Sequence, residues 1–206
     1  MTRQTRPYRM KKRAETQAQT RERIVTGAAE LHATIGPAQT TVSAVAERAG
    51  VPRATVYRHF HDEAALIVAC SVHWQTANQP PDPGPWTTIP DPETRLRKAL
   101  LELYGYYDTT ELMLDNVLRD EATMPILTEL LGRFRGYMAA VHEILMTGRP
   151  NRGAVHRRTA AALNHALEFA TWRSLTGKQL SNREAANLMV ELVAAAARVN
   201  KRKAGS

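Results

Sequence analysis

The residues Thr40 to Phe60 read TTVSAVAERAGVPRATVYRHF, and the side chains able to do chemistry gather at the end of that stretch. Arg53, Thr55, Tyr57, Arg58 and His59 occupy the polar positions of a short segment opened by Pro52. None of them forms a nucleophile–base pair or a metal-ligand set. What they offer is hydrogen bonding to an anionic, base-bearing polymer. Arginine can bridge O6 and N7 of guanine in a major groove, so Arg53, at the leading end of the segment, is the candidate base reader. Arg58 lies further along and suits either a base or a phosphate, and Thr55 either a thymine methyl or a phosphate. Tyr57 and His59 fit phosphate donation, which positions a protein without specifying sequence. Thr40 and Thr41 combine N-cap chemistry with phosphate contact, because a helix N-terminus attracts anions. For each residue the alternative is a plain solvated helix face.

These side chains must be held by two short helices, and the residues between them have steric reasons. Val42, Val45, Ala46 and Ala49 share the inner face of a helix opened by Thr40-Thr41, with Ala46 small enough for a close approach to another helix. Gly50 supplies the positive φ of a tight turn. Pro52 has its φ pre-set for the first turn of the next helix, where its missing N–H costs nothing. Val45, Val51 and Val56 tie the pair into one small core. This is the helix-turn-helix pattern, whose second helix enters the major groove of DNA.

Charge points the same way. The 206 residues carry 28 Lys and Arg against 20 Asp and Glu, a net of +8. Residues 1–60 hold eleven basic and four acidic side chains, whereas 61–206 hold 17 and 16. Nearly all of the surplus sits beside the helix-turn-helix, as expected for a polyanion partner. Cys70 is the single cysteine, so no disulfide framework is possible. The seven histidines are scattered without thiolate partners, so no metal and no cofactor is expected. No apolar run approaches the roughly 20 residues of a spanning helix, and no apolar segment follows the basic N-terminus to make a signal peptide. A cytoplasmic protein without a membrane partner is the expectation. An enzyme is not: there is no nucleophile elbow, no Gly-rich phosphate loop and no carboxylate pair arranged for acid–base work.

The periodicity predicts an all-α chain. Residues 1–19, with Arg3, Arg6, Arg9, Lys11, Lys12 and Arg13, read as a flexible, extended basic arm. Ile24, Ala28, Leu31 and Ile35 then mark a first helix that Gly36-Pro37 stops. A fourth helix is expected from Asp62 to about Asn78. Six of the eleven prolines fall within 80–92, a density no helix survives, so a stiff loop is expected there. Further helices are predicted at about 93–107, 109–119, 124–146, 153–175 and 182–199. The division expected is an arm at 1–19, a DNA-binding domain at 20–66 and a larger helical domain at 67–206.

Residues 21–66 closely resemble the N-terminal domain of the TetR family of bacterial transcriptional regulators. The resemblance is carried by Arg23-Ile24, Ala28-Ala29-Glu30-Leu31, Gly36, Thr40-Thr41, Ala46-Glu47-Arg48-Ala49-Gly50-Val51 and Ala54-Thr55-Val56-Tyr57-Arg58-His59-Phe60. Two positions depart from that pattern. Pro52 stands where the family usually has a capping Ser or Thr, and Glu63 stands where it usually has a Lys that touches a phosphate. The resemblance implies a homodimer that places two recognition helices on a near-palindromic double-stranded DNA operator. It further implies a C-terminal domain that binds a small-molecule effector, and a repressor released by it. An architectural protein that coats DNA without an effector is the alternative.

In the C-terminal region, aromatic, Met and isolated polar residues on otherwise apolar faces are candidates to line an effector pocket. They are Trp74, Tyr104, Tyr107, Met113, Phe134, Met138, Asn164, His165, Phe169 and Trp172. His165, Glu168 and Trp172 share a helix face, either a polar patch in a pocket or an interface. The last predicted helix carries a wide apolar stripe of Ala185, Leu188, Leu192, Val193, Ala196 and Val199, suited to dimerisation.

Overall fold

The structure, a computed structural model, describes residues 6–198. Arg3 of the expected arm and Val199 of the expected terminal stripe lie outside the described residues. The described residues are helical throughout apart from turns and connections, in agreement with an all-α fold. The helices are α1 (Arg6–Thr34), α2 (Val42–Ala49), α3 (Arg53–His59), α4 (Glu63–Ala77), α5 (Pro92–Asp120), α6 (Pro125–Met146), α7 (Gly153–Leu167), α8 (Phe169–Thr176) and α9 (Asn182–Ala197). The chain divides into two compact units, residues 1–79 with 112–131, and 80–111 with 132–206. The boundary in α5 falls after Glu111 and that in α6 after Leu131, so the first unit takes up a segment that the sequence places in the C-terminal domain.

The first unit is built on Ile24, Val25, Ala28 and Ala29 of α1, Val42, Val45, Ala46 and Ala49 of α2, Val56 and Phe60 around α3, and Leu66 and Cys70 of α4. Small residues let the helices close. A methyl group on Gly27 of α1 would lie 3.2 Å from Arg48 Cγ and 3.4 Å from the Ala49 nitrogen. Ile35, expected inward, is 42% exposed, because α1 ends at Thr34 and Gly36 turns away with φ 93°. A single 3-10 turn, Pro37–Gln39, leads from there to α2.

Helix α1 starts at Arg6, far upstream of the apolar stripe, so residues 6–19 are helical rather than extended. Their composition allows it. Lys, Arg, Ala, Glu and Gln dominate residues 11–19, all good helix formers, and Pro7 sits in the first turn, where proline is tolerated. Thr16 and Thr20 donate their hydroxyls to the carbonyls of Lys12 (2.9 Å) and Thr16 (2.8 Å). Residues 10–19 bury nothing and so carry no apolar period, which is why their sequence gives no helical signal.

The end of α5 fastens the end of α1. Asn116 Nδ2 donates to the carbonyls of His32 (3.1 Å) and Ala33 (2.8 Å), and Arg119 Nη2 to that of Ile35 (3.2 Å). The His32 carbonyl also accepts the Gly36 N–H at 3.1 Å, whereas those of Ala33 and Ile35 are of the kind that a helix end leaves open. Asp120, 5% exposed, accepts from the Ala38 backbone N–H (2.9 Å) and from Arg119 Nε (2.9 Å). Buried beneath lie His32 and Cys70, with Cys70 Sγ 3.3 Å from His32 Nδ1. Burial pushes the thiol up to about 12 and, against the opposing pull of Asp120, holds His32 down at about 4. At neutral pH the pair is therefore an un-ionised thiol against a neutral imidazole.

In the second unit the proline-rich loop is tied down. Trp86, fully buried in the 3-10 turn Gly84–Thr88, donates from Nε1 to Glu102 Oε2 at 2.7 Å. Arg95, buried, donates to the carbonyls of Ile89, Pro90, Ile144 and Thr147. Arg149 donates to those of Leu145 and Pro92 and pairs with Glu93 at 2.9 Å. Helix α5 is continuous where two helices are predicted. Thr109 and Thr110 return their hydroxyls to the carbonyls of Gly105 and Tyr106 instead of capping a new helix. Conversely, one helix is predicted over 153–175 and two are found. The backbone turns extended at Glu168 (φ −72°, ψ 136°), and the hydroxyls of Tyr104 and Tyr107 donate to the carbonyls of Ala166 (2.8 Å) and Leu167 (2.7 Å).

Candidate nucleic-acid interface

Helix α2 opens on Thr41, whose hydroxyl accepts the Ala44 N–H at 3.1 Å, and closes on Gly50, left-handed at φ 63°, ψ 42°. The Val51 N–H then reaches back to the Ala46 carbonyl at 3.0 Å, which fixes the turn. Arg23 of α1 completes it, donating from Nη2 to the carbonyls of Ala49 and, at 3.0 Å, Gly50. Thr40, by contrast, donates its hydroxyl to the Gly36 carbonyl at 2.8 Å and is not the cap. Pro52 leads into α3 without a side-chain cap.

The structure sorts the residues read as DNA contacts. Arg53 and Arg58 are exposed and Tyr57 is 44% exposed. In the free protein the Arg53 guanidinium lies 5.6 Å from the centre of the Tyr57 ring and donates to its hydroxyl at 3.2 Å. The contact is exposed to solvent and holds the Arg53 side chain only weakly. His59 is half-buried, and its pKa is lowered by burial and by the Arg58 and Arg21 cations beside it. Thr55 departs from expectation. It is 9% exposed and takes a 3.4 Å contact from Arg58 Nη2, so its hydroxyl orients Arg58 and does not present itself outward. Glu63 is exposed in the first turn of α4, which Asp62 caps by accepting the Ala65 N–H at 2.7 Å.

The basic arm expected at residues 1–19, helical from Arg6, adds a second element beside this surface. A cleft of about 530 Å³ is lined by Lys12, Arg13, Thr16, Gln17 and Thr20 of α1 and by Arg58 and His59 of α3. The signal available for it was the spacing 12, 16, 20 and 13, 17, which lies on one side of a helix, but it becomes meaningful only once residues 6–19 are helical. Arg21, the next residue along that side, stacks its guanidinium 4.9 Å from the centre of the Phe60 ring.

The residues read as pocket-lining fall into three groups. Tyr104, Tyr107, Phe169 and Trp172 are buried together in the second unit; the Tyr107 ring lies 5.5 Å from Phe169 and 5.9 Å from Trp172. Phe134 and Met138 are half-buried there, joined by Tyr106 and Tyr137, which the sequence reading omitted; Phe134 lies 6.2 Å from Tyr106 and 6.0 Å from Tyr137. Trp74 and Met113 belong to the first unit. Asn164 and His165 are exposed on α7, and His165 meets Thr171 (3.2 Å) and Glu168 (3.7 Å) at the surface, so neither lines an interior of the second unit. On α9, Ala185, Met189 and Val193 are buried, while Leu188 and Leu192 of the predicted stripe are 36% and 49% exposed. Among the described residues no group of three His, Cys, Asp or Glu could hold a metal ion, and no helix is long and apolar enough to cross a membrane.

Residues 24–70 match the family model of bacterial regulatory proteins, tetR family. No curated protein matches the sequence. Several solved structures share the fold. A TetR-like transcriptional regulator from Rhodococcus sp. RHA1 is 15% identical, with a TM-score of 0.62 over 84% of this chain and 93% of that one. NalD, the secondary repressor of the MexAB-OprM multidrug efflux pump in Pseudomonas aeruginosa, is 21% identical, with a TM-score of 0.57 over 88% and 97%. The fatty acid degradation regulator FadR from Bacillus halodurans is 15% identical, with a TM-score of 0.53 over 90% and 97%.

Proposed function

Because the chain belongs to the TetR family of bacterial transcriptional regulators, we propose that it is a cytoplasmic, homodimeric repressor that a small molecule releases from a near-palindromic operator. The observation that carries DNA reading is the exposed Arg53–Tyr57–Arg58 face of α3, held by a capped and tightly turned α2. Arg53 would read a base edge; Tyr57, Arg58 and His59 would set the helix on phosphates. Thr41, already used as a cap, adds a contact only through its remaining lone pair and proton.

Dimerisation is supported by the face that α9 leaves outward. Leu188, Leu192 and Ala195 follow one another at helical spacing and are exposed, while the opposite face of the same helix fills the core. Two copies that cover these leucines make a two-fold protein, and a two-fold protein asks for a two-fold site.

The effector site is proposed among the half-buried Tyr106, Phe134, Tyr137 and Met138, next to the buried Tyr104, Tyr107, Phe169 and Trp172. The hydroxyls of Tyr104 and Tyr107 are already spent on backbone carbonyls, so this interior offers mainly apolar contact. An apolar effector fits it. Release from DNA then equals the effector's differential affinity for the bound and free conformers.

Footprinting on a duplex recovered by selection from a random pool tests the reading. Two protected half-sites about one helical turn apart are expected. Uniform, salt-sensitive protection without half-sites would favour the architectural alternative. A thermal-shift screen of small apolar molecules, with hits retested for release from the duplex, tests the effector.

A further inference from the structure

We propose that residues 10–21 of α1 form a second DNA-contacting element, closing with the end of α3 a cleft that grips the sugar–phosphate backbone beside the groove entered by α3. This rests on the DNA-reading role proposed above. Four observations carry it.

The extension does no packing work. The core of the first unit draws on α1 only from Ile24 onward, while residues 10–19 are exposed without exception. At about 1.5 Å per residue the part upstream of Ile24 projects for some 25 Å. Secondly, its inner side is chemically uniform: the cleft is lined by Lys12, Arg13 and Arg58 as full cations, by Gln17, Thr16, Thr20 and His59 as neutral polar groups, and by no carboxylate. Lys, Arg, Gln and Thr are the side chains that contact DNA phosphate. Thirdly, one wall belongs to the reading helix itself, since Arg58 and His59 follow Arg53 by five and six residues. An anion in the cleft is therefore a neighbour of whatever α3 reads, which selects a DNA strand over an unrelated acidic protein. Fourthly, α1 is tied to α3 next to the cleft. Arg21 stacks on Phe60, the residue that ends α3, and Arg23 grips the turn before α3, so the extension and the reading helix are positioned by the same two arginines.

The contact is to backbone, so it is independent of base sequence and dependent on salt. Lys12→Ala/Arg13→Ala in the full-length chain tests it, alanine preserving helix propensity. The measurement is the salt dependence of binding to the selected operator and to a scrambled duplex of equal length. For two lost phosphate contacts the slope of log K against log salt should become shallower by about 2, so that the deficit of the variant shrinks roughly tenfold between about 50 and 200 mM salt. The deficit should be equal on the two duplexes, and helicity by circular dichroism unchanged. A variant with wild-type affinity and slope overturns the proposal, as does a deficit confined to the operator, which would make these residues base readers. Failure of the wild-type protein to bind any duplex is a different result, because it overturns the DNA-reading role itself.

Discussion

Gly36 occupies a position where a single methyl group should be felt twice. Its backbone lies at φ 93°, ψ 156°, a region essentially reserved for glycine, where another residue costs about 1–3 kcal/mol. The added Cβ would also stand 2.5 Å from Asp120 Oδ2 and closer still to Arg119 Nη2, and both must yield. The Asp120 carboxylate is buried and accepts the Ala38 N–H and Arg119 Nε at 2.9 Å each. Displacing it weakens charge-assisted bonds worth about 1.5–3 kcal/mol apiece. If one of the two is lost, Gly36→Ala costs about 2.5–6 kcal/mol, a large part of the 5–15 kcal/mol that an ordinary domain has. Urea denaturation followed by circular dichroism reads the loss. Asp120→Ala provides the control: with the carboxylate gone, the added cost of Gly36→Ala should fall to the backbone part, about 1–3 kcal/mol. A cost below about 1 kcal/mol in the parent, or an equal cost in both backgrounds, would refute the account of how α5 holds the end of α1.

Arg53→Ala should weaken operator binding by roughly 1–3 kcal/mol and flatten sequence preference at one position of each half-site; equal weakening on all duplexes would instead make Arg53 a phosphate contact. His32 is neutral in the folded chain until about pH 4 and titrates near 6.5 when unfolded, so below 6.5 the unfolded state takes up a proton that the folded state refuses. Its contribution is complete above pH 6.5 and is lost as the pH falls toward 4, by about 3 kcal/mol at most. His32→Gln should flatten that part of the stability profile, and an unchanged slope between pH 6.5 and 4 would remove His32 as its cause. Tyr107→Phe should cost about 1–3 kcal/mol, because the Leu167 carbonyl at the end of α7 loses its buried donor; a neutral effect on urea denaturation would mean the carbonyl finds another partner.

What the sequence made legible was whatever a local cause decides. Thr41 and Gly50 do in the structure what their types require, as cap and left-handed turn, and Ala46 is buried, whereas Pro52, expected inside the first turn of α3, stands just before it as the N-cap residue. The residues proposed to face DNA were half legible as surface residues. Arg53, Tyr57 and Arg58 emerge on the surface, but Thr55 turns in, because a helix of seven residues has too few turns for a period to separate its flank from its face. The extension of α1 was illegible for the opposite reason. Amphipathic period is the imprint of burial, and a helix that keeps its whole circumference for solvent or for a partner leaves none.

The break between α7 and α8 shows where such reading ends. No glycine or proline stands between Ala166 and Phe169, and the local sequence continues as a helix. The cause lies some sixty residues earlier in the chain, where Tyr104 and Tyr107, one turn apart on α5, hold two successive carbonyls at the point of interruption. The helix yields the hydrogen bonds those carbonyls would have made along it, and the hydroxyls, which burial would otherwise leave unpaired, take them over. The same pairing explains why these tyrosines are poor candidates for polar contact with an effector, although their types and positions single them out from the sequence. A side chain's chemistry can be read from its letter, but whether that chemistry is still available depends on which distant backbone has already claimed it.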